Sequence, residues 1–315
     1  YYKKLKKEQG HVFSSSDLQT LLNHAVTTTP YYKPWKQSES IEAFPVITKQ
    51  IILAHYDSFL SSAYRGQKLH IMRSSGSSGD RFAMLQSRGK RKRVLAELIY
   101  FNEQCGFHLG ERFIYTRIWF KDNRKSIWMR TAENMCPFDC RSLSDASLDG
   151  LFHLLQKDKS IKLLKGYAST LEAIADYFDR QGFSPALFNL QIILSGAERL
   201  DQVAKAKLKK VFGCPVVSRY SNQENGVLAQ QGLNGDVFYL NASHYYFEWL
   251  KLDQNTKAAM GEPARLIITD LYNRAMPMIR YDTGDVVIAG QVDGAPGRNI
   301  LLDISGRCDE VITDT

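Results

Sequence analysis

The sequence predicts an α/β protein built around a parallel β-sheet, because it contains a strand–helix–strand unit. Residues 190–194 form an apolar run that is typical of a buried strand. Residues 200–212 then place Leu200, Val203, Ala204, Leu208, Val211 and Phe212 at helical spacing with lysines between them, and a glycine and a proline end the pattern. A second strand is predicted from Pro215. Loops after the carboxyl ends of parallel strands carry the ligand in such folds, so we expect residues 195–198 and 220–224 to be functional.

The other predicted elements follow from the same kind of spacing. A helix that begins with serine is predicted over residues 14–30, and two more over 91–105 and 169–181. Residues 29–45 hold three prolines, which predicts an irregular connector. A chain of 315 residues is also long enough to form two or more sub-domains.

Composition excludes several classes of protein. No apolar run approaches the ~20 residues of a membrane-spanning helix, so we expect no membrane insertion. The five cysteines are scattered, which argues against a disulfide framework and suits a reducing, cytoplasmic location. Only Cys136 and Cys140 lie close in sequence, and no second pair stands at zinc-finger spacing, so we expect no zinc site.

The net charge of +8 raises the question of nucleic-acid binding. Basic side chains concentrate in two runs, which are Lys3, Lys4, Lys6 and Lys7, and then Arg88, Lys90, Arg91, Lys92 and Arg93. No nucleic-acid recognition motif accompanies them. We therefore predict solvated surfaces, or a funnel for an anion such as ATP or coenzyme A, and no nucleic-acid partner.

A serine- and glycine-rich loop follows the apolar residues 69–72. Its members are Ser74, Ser75, Gly76, Ser77, Ser78 and Gly79. Glycines let the backbone approach an anion closely, and hydroxyl and amide groups can donate to phosphate oxygens. The loop lacks the Gly-Lys-Ser/Thr ending of the NTPase P-loop. By itself it is better explained as a flexible loop.

Four further segments follow this loop in a characteristic order. They are Gly196-Ala197-Glu198, Tyr220-Ser221-Asn222-Gln223-Glu224, Arg280-Tyr281-Asp282-Thr283-Gly284-Asp285, and Gly306-Arg307-Cys308-Asp309-Glu310. Together with the loop they resemble the adenylate-forming superfamily. The similarity is greatest to its phenylacetate–CoA ligase branch, which includes coenzyme F390 synthetase and the capsule-biosynthesis protein CapK, and it runs from about Leu69 to the end.

The resemblance implies a role for each matching residue. Ser74 to Gly79 would hold the ATP phosphates and the departing pyrophosphate. Gly196, Ala197, Glu198, Tyr220, Ser221 and Asn222 would form the adenine site, with Tyr220 stacked on the base. Glu224 would bind Mg²⁺ beside the phosphates. Asp285 would accept hydrogen bonds from the ribose, and Arg307 would contact the ribose or the α-phosphate.

The resemblance also implies an architecture. We expect layered β-sheets with flanking helices and a smaller β sub-domain over residues 1–305, the large N-terminal domain of adenylate-forming enzymes. Residues 306–315 would be a hinge at Asp309 and the start of a small C-terminal domain, whose catalytic lysine would lie beyond Thr315. The chain departs from the superfamily pattern at three places. Asp80-Arg81-Phe82 replace the usual proline and lysine, Gln223 replaces threonine, and Ser221 replaces glycine.

Each site residue has a structural alternative. Tyr220 could be a core aromatic, Glu198 and Glu224 could cap helices, and Asp285 could be a turn residue. Residues 164–169 and the pair Tyr245-Tyr246 resemble stretches near the family's acyl pocket, but core packing explains their aromatic side chains equally well.

The functional prediction is ATP-dependent activation of a carboxylic acid to an acyl-adenylate, followed by transfer to the thiol of coenzyme A. Other acceptors remain open: a carrier-protein thiol, an amine, or a sugar hydroxyl in capsule biosynthesis. A second reading is transfer of AMP to a product, as in coenzyme F390 synthetase. A third is a nucleotide- or nucleic-acid-binding module without catalysis. The sequence leaves a homodimer open.

Overall fold

The computed structural model describes residues 1–8, 13–37, 40–73, 83–120, 124–292 and 298–307. Its α-helices are α1 (Tyr2–Glu8), α2 (Ser15–Thr28), α3 (Lys49–Ala54), α4 (Tyr56–Phe59), α5 (Arg88–Gln104), α6 (Ile127–Ala132), α7 (Asp145–Lys157), α8 (Ala168–Arg180) and α9 (Gln202–Phe212). Short 3₁₀ helices cover Pro30–Trp35, Ile41–Ala43, Ser62–Tyr64 and Pro185–Leu187.

The β-strands complete a mixed α/β fold, as the sequence predicted. They are β1 (His70–Arg73), β2 (Ala83–Gln86), β3 (Arg112–Arg117), β4 (Met135–Asp139), β5 (Ile161–Tyr167), β6 (Ile192–Gly196), β7 (Val216–Asn222), β8 (Gly226–Gln231), β9 (Phe238–Leu240), β10 (Tyr245–Leu250), β11 (Pro263–Asp270), β12 (Tyr281–Gln291) and β13 (Asn299–Arg307).

The chain divides into two compact units, which agrees with the expectation of more than one sub-domain. Unit 1 comprises Tyr1–Leu98, Ser221–Ala229 and Val237–Thr315, and unit 2 comprises Ile99–Tyr220 and Gln230–Asp236. Unit 2 contains parallel strands in the order β7-β6-β5-β3-β4. Unit 1 contains antiparallel strands in the order β10-β11-β12-β13-β9, and a separate β1–β2 pair.

The predicted strand–helix–strand unit is confirmed as β6, α9 and β7. The Asp201 side chain caps α9 by accepting a hydrogen bond from the Ala204 amide at 2.8 Å. Gly213 ends the helix in the left-handed region, with φ of 64°, a conformation that glycine adopts without strain. The prediction that the apolar residues of this helix are buried is wrong at Val203, which is 77% exposed. Lys205 is buried instead, and it donates to Gln231 at 2.7 Å and pairs with Asp236 at 2.7 Å.

Two apolar clusters lie in unit 2. The larger one joins helices α7, α8 and α9 to strand residues such as Ile114, Leu164 and Ile193. The smaller one includes Leu163, Leu194 and Val217, with Cys105 and Phe107. Since neighbouring residues on a strand point to opposite faces, Leu163 and Leu164 assign these clusters to opposite faces of the unit 2 strands.

The remaining predicted helices are present within a few residues of their expected bounds. Ser14 caps α2 by accepting from the Asp17 amide at 3.3 Å. The proline-rich connector forms the 3₁₀ turns at Pro30–Trp35 and Ile41–Ala43. Cys105, Cys136, Cys140 and Cys214 are free thiols. Among the helices that the structure describes, none has the length and apolar character needed to cross a bilayer.

Candidate functional site

In unit 2, two predicted nucleotide segments lie at the carboxyl ends of neighbouring parallel strands. β6 and β7 pair so that Gly196 is opposite Arg219, and Ala197 and Tyr220 are the next residues along their chains. Ala197 has a φ of 68°, which is uncommon for a residue with a side chain and turns the chain sharply after β6. Tyr220 is half-buried. The sequence prediction that the two segments share one sheet edge is therefore confirmed.

Glu198 follows this turn, and its carboxylate is hydrogen-bonded to the first turn of α8. Its carboxylate accepts from the Ser169 amide at 2.9 Å and from the Ser169 hydroxyl at 2.7 Å. Ser169 lies in the first turn of α8, where a carboxylate satisfies free amides and the helix dipole. The alternative reading of Glu198 as a helix-capping residue is thus confirmed. Its place in the adenine pocket stays a prediction.

In unit 1, Glu224 lies in the turn between β7 and β8. The Gln86 side-chain amide donates to the Glu224 carbonyl at 2.8 Å, and the Asn225 amide donates to the Asn222 side chain at 2.9 Å. Gly226 follows with a φ of 135°, and a Cβ built on it would lie 2.5 Å from a Glu97 carboxylate oxygen. The turn is therefore held at its backbone, and glycine is the residue that fits at 226.

A buried network of charged and polar side chains lies beneath this turn. Lys90 and Glu97 of α5 are fully buried, and Lys90 Nζ lies 2.8 Å from Asp270 and 3.9 Å from Glu97. Lys90 also donates to the Tyr245 hydroxyl at 2.9 Å. His244 Nδ1 lies 2.5 Å from Glu97 Oε1. The prediction that the basic run in α5 is solvated is therefore wrong at Lys90, whose charge is compensated inside unit 1.

This network, comprising Lys90, Glu97, Asp270, Tyr245 and His244, is called the paired network below. Two of its members hold the Glu224 turn directly. Glu97 accepts from the Val227 amide at 3.1 Å, and the Tyr245 hydroxyl donates to the Asn225 carbonyl at 2.9 Å. Tyr245 is therefore a core residue, the structural alternative that the sequence left open.

The pKa values of Glu97 and Tyr245 are set by burial and by the charges of the paired network itself. Burial works to raise the pKa of the Glu97 carboxyl, but the Lys90 charge and the bonds from His244 and Val227 outweigh it, and the pKa is lowered. The pKa of Tyr245 is raised well above its usual value by burial and then by the Glu97 and Asp270 charges. Glu97 is thus ionised and Tyr245 neutral at physiological pH.

Asp285 and Arg307 are register partners on the antiparallel strands β12 and β13. Asp285 lies in a strand and directly follows Gly284, whose φ is 76°. The Asp285 amide donates to the Thr283 hydroxyl at 3.2 Å, and that hydroxyl donates to the Leu266 carbonyl at 3.0 Å. The Asp285 side chain is half-buried. Two residues that the sequence placed at the ribose are therefore neighbours in unit 1.

Arg280 is a structural residue that the sequence interpretation missed, although it opens one of the quoted motifs. It is buried with a φ of 54°, and its guanidinium lies 3.0 Å from Glu248. It also donates to the carbonyls of Glu42 and Phe44 at 3.1 and 2.9 Å. Arg280 thus fastens the connector to the antiparallel strands, a role whose long-range partners gave no local signal.

Some predicted residues lie outside the described part of the chain. The phosphate-loop residues Ser74, Ser75, Gly76, Ser77, Ser78 and Gly79 are among them, as is the hinge residue Asp309. Arg307 is described for its backbone alone. Among the residues that are described, no group of three or more metal-ligating side chains occurs.

Comparison with known sequences gives relatives in one branch. No protein-family model matches the chain. The CapK protein of Staphylococcus aureus is 25% identical over 256 residues, covering 79% of this chain and 54% of CapK. A phenylacetate–coenzyme A ligase of Aromatoleum evansii is 25% identical over 170 residues, covering 50% of this chain and 38% of that enzyme. The chain spans about half the length of the CapK protein, and less of the ligase.

Comparison with solved structures extends the likeness to nearly the whole chain. A 2-hydroxyisobutyryl-CoA ligase, solved in an open conformation with 2-HIB-AMP and CoA, matches with a TM-score of 0.74 and 18% identity over 93% of this chain and 73% of that one. An acyl acid amido synthetase matches with a TM-score of 0.63 and 14% identity, over 93% of this chain and 67% of that one. The chain therefore has the fold of the large N-terminal domain of adenylate-forming enzymes, and its sequence relatives lie in the CapK and phenylacetate–CoA ligase branch.

Proposed function

We infer that the chain binds ATP and activates a carboxylic acid as an acyl-adenylate, and that the thiol of coenzyme A then takes the acyl group. The observation that carries this proposal is the placement of Gly196, Ala197 and Tyr220 at one sheet edge, in a chain with this fold. Ligands of open α/β sheets bind at the carboxyl ends of the strands, which is where these residues lie. The names of the relatives support the same chemistry, since two of them are phenylacetate–coenzyme A ligases.

The residues present divide the work between binding and orientation. In unit 2, Tyr220 would stack on the adenine beside Gly196 and Ala197, where the missing glycine side chain leaves room for a flat base. In unit 1, Asp285 would accept hydrogen bonds from the ribose hydroxyls and Arg307 would contact the ribose or the α-phosphate. Each of these roles is the one that the resemblance implies for the residue concerned, and all of them bind or orient the nucleotide.

The reaction needs no protein nucleophile, because the substrate carboxylate attacks the α-phosphorus and pyrophosphate leaves. Holding the two reactants in line removes much of the entropic barrier. Donors aimed at the phosphate oxygens would stabilise the charge that builds up there. Ser74 to Gly79 are proposed to supply such donors.

Glu224 fits the Mg²⁺ that this chemistry uses. Mg²⁺ is held in such sites by one or two carboxylates together with substrate phosphates, so a lone carboxylate on a fixed turn suffices. The Gln86 bond holds the Glu224 carbonyl, and the paired network holds the backbone at Asn225 and Val227. When bound, Mg²⁺ would neutralise charge on the phosphate oxygens.

The test is carboxylate-dependent exchange of pyrophosphate into ATP by the full-length protein, screened across an acid library. We expect at least one acid to support exchange, and Asp285→Ala to weaken ATP binding by about 10-fold to 100-fold through loss of a charge-assisted hydrogen bond. A stable adenylylated product would instead indicate nucleotidyl transfer. Absence of nucleotide binding at millimolar ATP with Mg²⁺ would contradict the proposal.

A further inference from the structure

Three cations stand on one face of the unit 2 strands, close to the edge that carries Gly196. Tyr115 of β3 pairs with Lys165 of β5, and Gly196 of β6 pairs with Arg219 of β7. Paired residues share a face, and so do residues two apart on a strand. Arg117, Lys165 and Arg219 therefore belong to the face of the smaller apolar cluster, nearer the carboxyl ends of the strands.

Contacts confirm that the three cations lie together. Lys165 Nζ lies 4.7 Å from the centre of the Tyr115 ring, and the Arg117 guanidinium carbon lies 5.6 Å from the same ring. Arg117 is also 5.4 Å from the Trp119 ring. These aromatic faces are the ordinary weak partners of a cation, and they do not neutralise its charge as a carboxylate would.

Within the described residues, none of the three cations forms an ion pair with a carboxylate. Arg219 is 5% exposed, and it donates to Gln230 at 2.7 Å and to Asn102 at 2.8 Å. Among the described residues, its buried Nη1 atom has no hydrogen-bond partner, and the same holds for Arg117 Nε. Buried guanidinium donors are normally satisfied, so these two atoms are available to an acceptor on a ligand.

Space for such an acceptor exists next to Arg219. Gly196 lies between Tyr167 and Arg219 across the paired strands. Of the atoms in the described residues outside its chain neighbours, a Cβ built on Gly196 would meet within 4 Å only the Arg219 carbonyl oxygen, at 3.6 Å. No described side chain therefore fills the space directly above Gly196, which is the register partner of Arg219.

The electrostatics of the cluster favour binding of an anion. The pKa of Lys165 is lowered to about 7, by burial first and then by the charges of Arg219, Lys125 and Arg117. Burial also lowers the pKa of Arg219 to about 10. Lys125 is itself paired with Glu133, so its charge is already compensated. A bound anion would offset the repulsion among Arg117, Lys165 and Arg219.

We propose that Arg117, Lys165 and Arg219 bind a second anionic group of the acid substrate, so that the protein prefers acids with two anionic groups. This inference rests on the proposed function. The carboxylate to be activated must stay free to attack ATP, so the cations would hold the other group, a carboxylate or a phosphate. Arginine matches the planar geometry of a carboxylate through two parallel hydrogen bonds, and lysine adds a point charge.

The test compares acids of equal length in pyrophosphate exchange by the full-length protein, for example hexanoate with adipate. We expect the diacid to have a kcat/KM about 10-fold to 100-fold higher than the monoacid. Lys165→Met should abolish this preference mainly through KM for the diacid and leave hexanoate within about 3-fold, while Lys165→Arg should retain much of it. Lys162→Met, in the same strand and outside the cluster, is the matched control and should change neither substrate.

Two outcomes would overturn the inference while leaving the proposed function standing. One is a preference for the monoacid, and the other is an equal loss with both acids in Lys165→Met, which would indicate a structural role. If no acid supports exchange, the proposed function fails and calorimetry decides the anion site. Adipate binding that is lost in Lys165→Met and kept in Lys162→Met would support the site, and absence of binding would overturn it. Binding of ATP or coenzyme A alone, with the same sensitivity, would assign the cations to a co-substrate phosphate and contradict the inference.

Discussion

The two units bury charge in opposite ways. In unit 1, the paired network sets Lys90 against Asp270 and Glu97, and every charge has a partner inside the fold. In unit 2, Arg219 is buried and Arg117 and Lys165 are half-buried, and none of the three has a carboxylate partner among the described residues. Charges that compensate one another serve the fold, whereas uncompensated charges of one sign favour a ligand of the opposite sign.

The paired network stabilises a turn, whereas the three cations lie beside a glycine at the end of a strand. The paired network is bonded to the backbone at Asn225 and Val227, so it fixes the turn that carries Glu224. The cationic cluster borders Gly196, and no described side chain fills the space directly above that glycine. We therefore expect substitutions in the paired network to lower stability, and substitutions in the cationic cluster to weaken binding without lowering stability.

The largest effect is expected from Lys90→Met. Removing Lys90 leaves the buried Asp270 and Glu97 carboxylates without the lysine that lies beside both, which costs about 3–5 kcal/mol. The free energy of unfolding, measured in urea, should fall by this amount and the variant should melt at lower temperature. A loss below about 1 kcal/mol would show that the buried charges are not coupled.

Lys165→Met should have the opposite sign. It removes a half-buried cation that repels Arg219 and Arg117, so without ligand the variant should be more stable than the parent by about 1–4 kcal/mol at neutral pH. Urea unfolding of the two proteins side by side measures this difference. A clear destabilisation would mean that Lys165 has an internal partner, and the comparison between the units would break.

The pH dependence of that difference provides a sharper check. The folded pKa of Lys165 is about 7 and its ordinary value is 10.5, so between these values the unfolded chain binds more protons and stability rises with pH. The advantage of Lys165→Met should therefore shrink as pH rises from 7 towards 10, by at most about 1.4 kcal/mol per pH unit. A difference that stays constant over this range would contradict the lowered pKa.

The smallest effect is expected at the surface. Lys210 is 73% exposed and pairs with Asp179 at 3.1 Å. Lys210→Met should change the free energy of unfolding by no more than about 0.5 kcal/mol, because water screens such a pair. This variant is the control for both buried lysines, and a change of several kcal/mol would show that losing a lysine by itself perturbs the protein.

Sequence reasoning succeeded where the signal was local. The β6-α9-β7 unit was predicted because apolar spacing, Gly213 and Pro215 lie within one short stretch of chain. It failed at Lys90, which belongs to a basic run but meets Tyr245, 155 residues away. Lys90, Val94 and Glu97 are spaced four and three residues apart, so they lie on one face of a helix. This spacing was the sequence signal that Lys90 points inward.

The sequence indicated the residues of the candidate site, but not which charged side chains lie together beside it. Gly196, Ala197 and Tyr220 were found because they follow strands, and strand ends carry ligands. Lys165 was visible as a lysine inside an apolar strand, but its relation to Arg117 and Arg219 depends on the register of three strands. Register is set by tertiary packing, which a single sequence does not display.

The most direct test of the proposed acyl-adenylate follows oxygen atoms. An acid labelled with ¹⁸O in its carboxylate is incubated with the full-length protein, ATP, Mg²⁺ and coenzyme A, and the AMP product is weighed by mass spectrometry. If the carboxylate attacks the α-phosphorus, cleavage by the thiol leaves one labelled oxygen on AMP. Labelled AMP is therefore the predicted result, and formation of the thioester with unlabelled AMP would contradict the account.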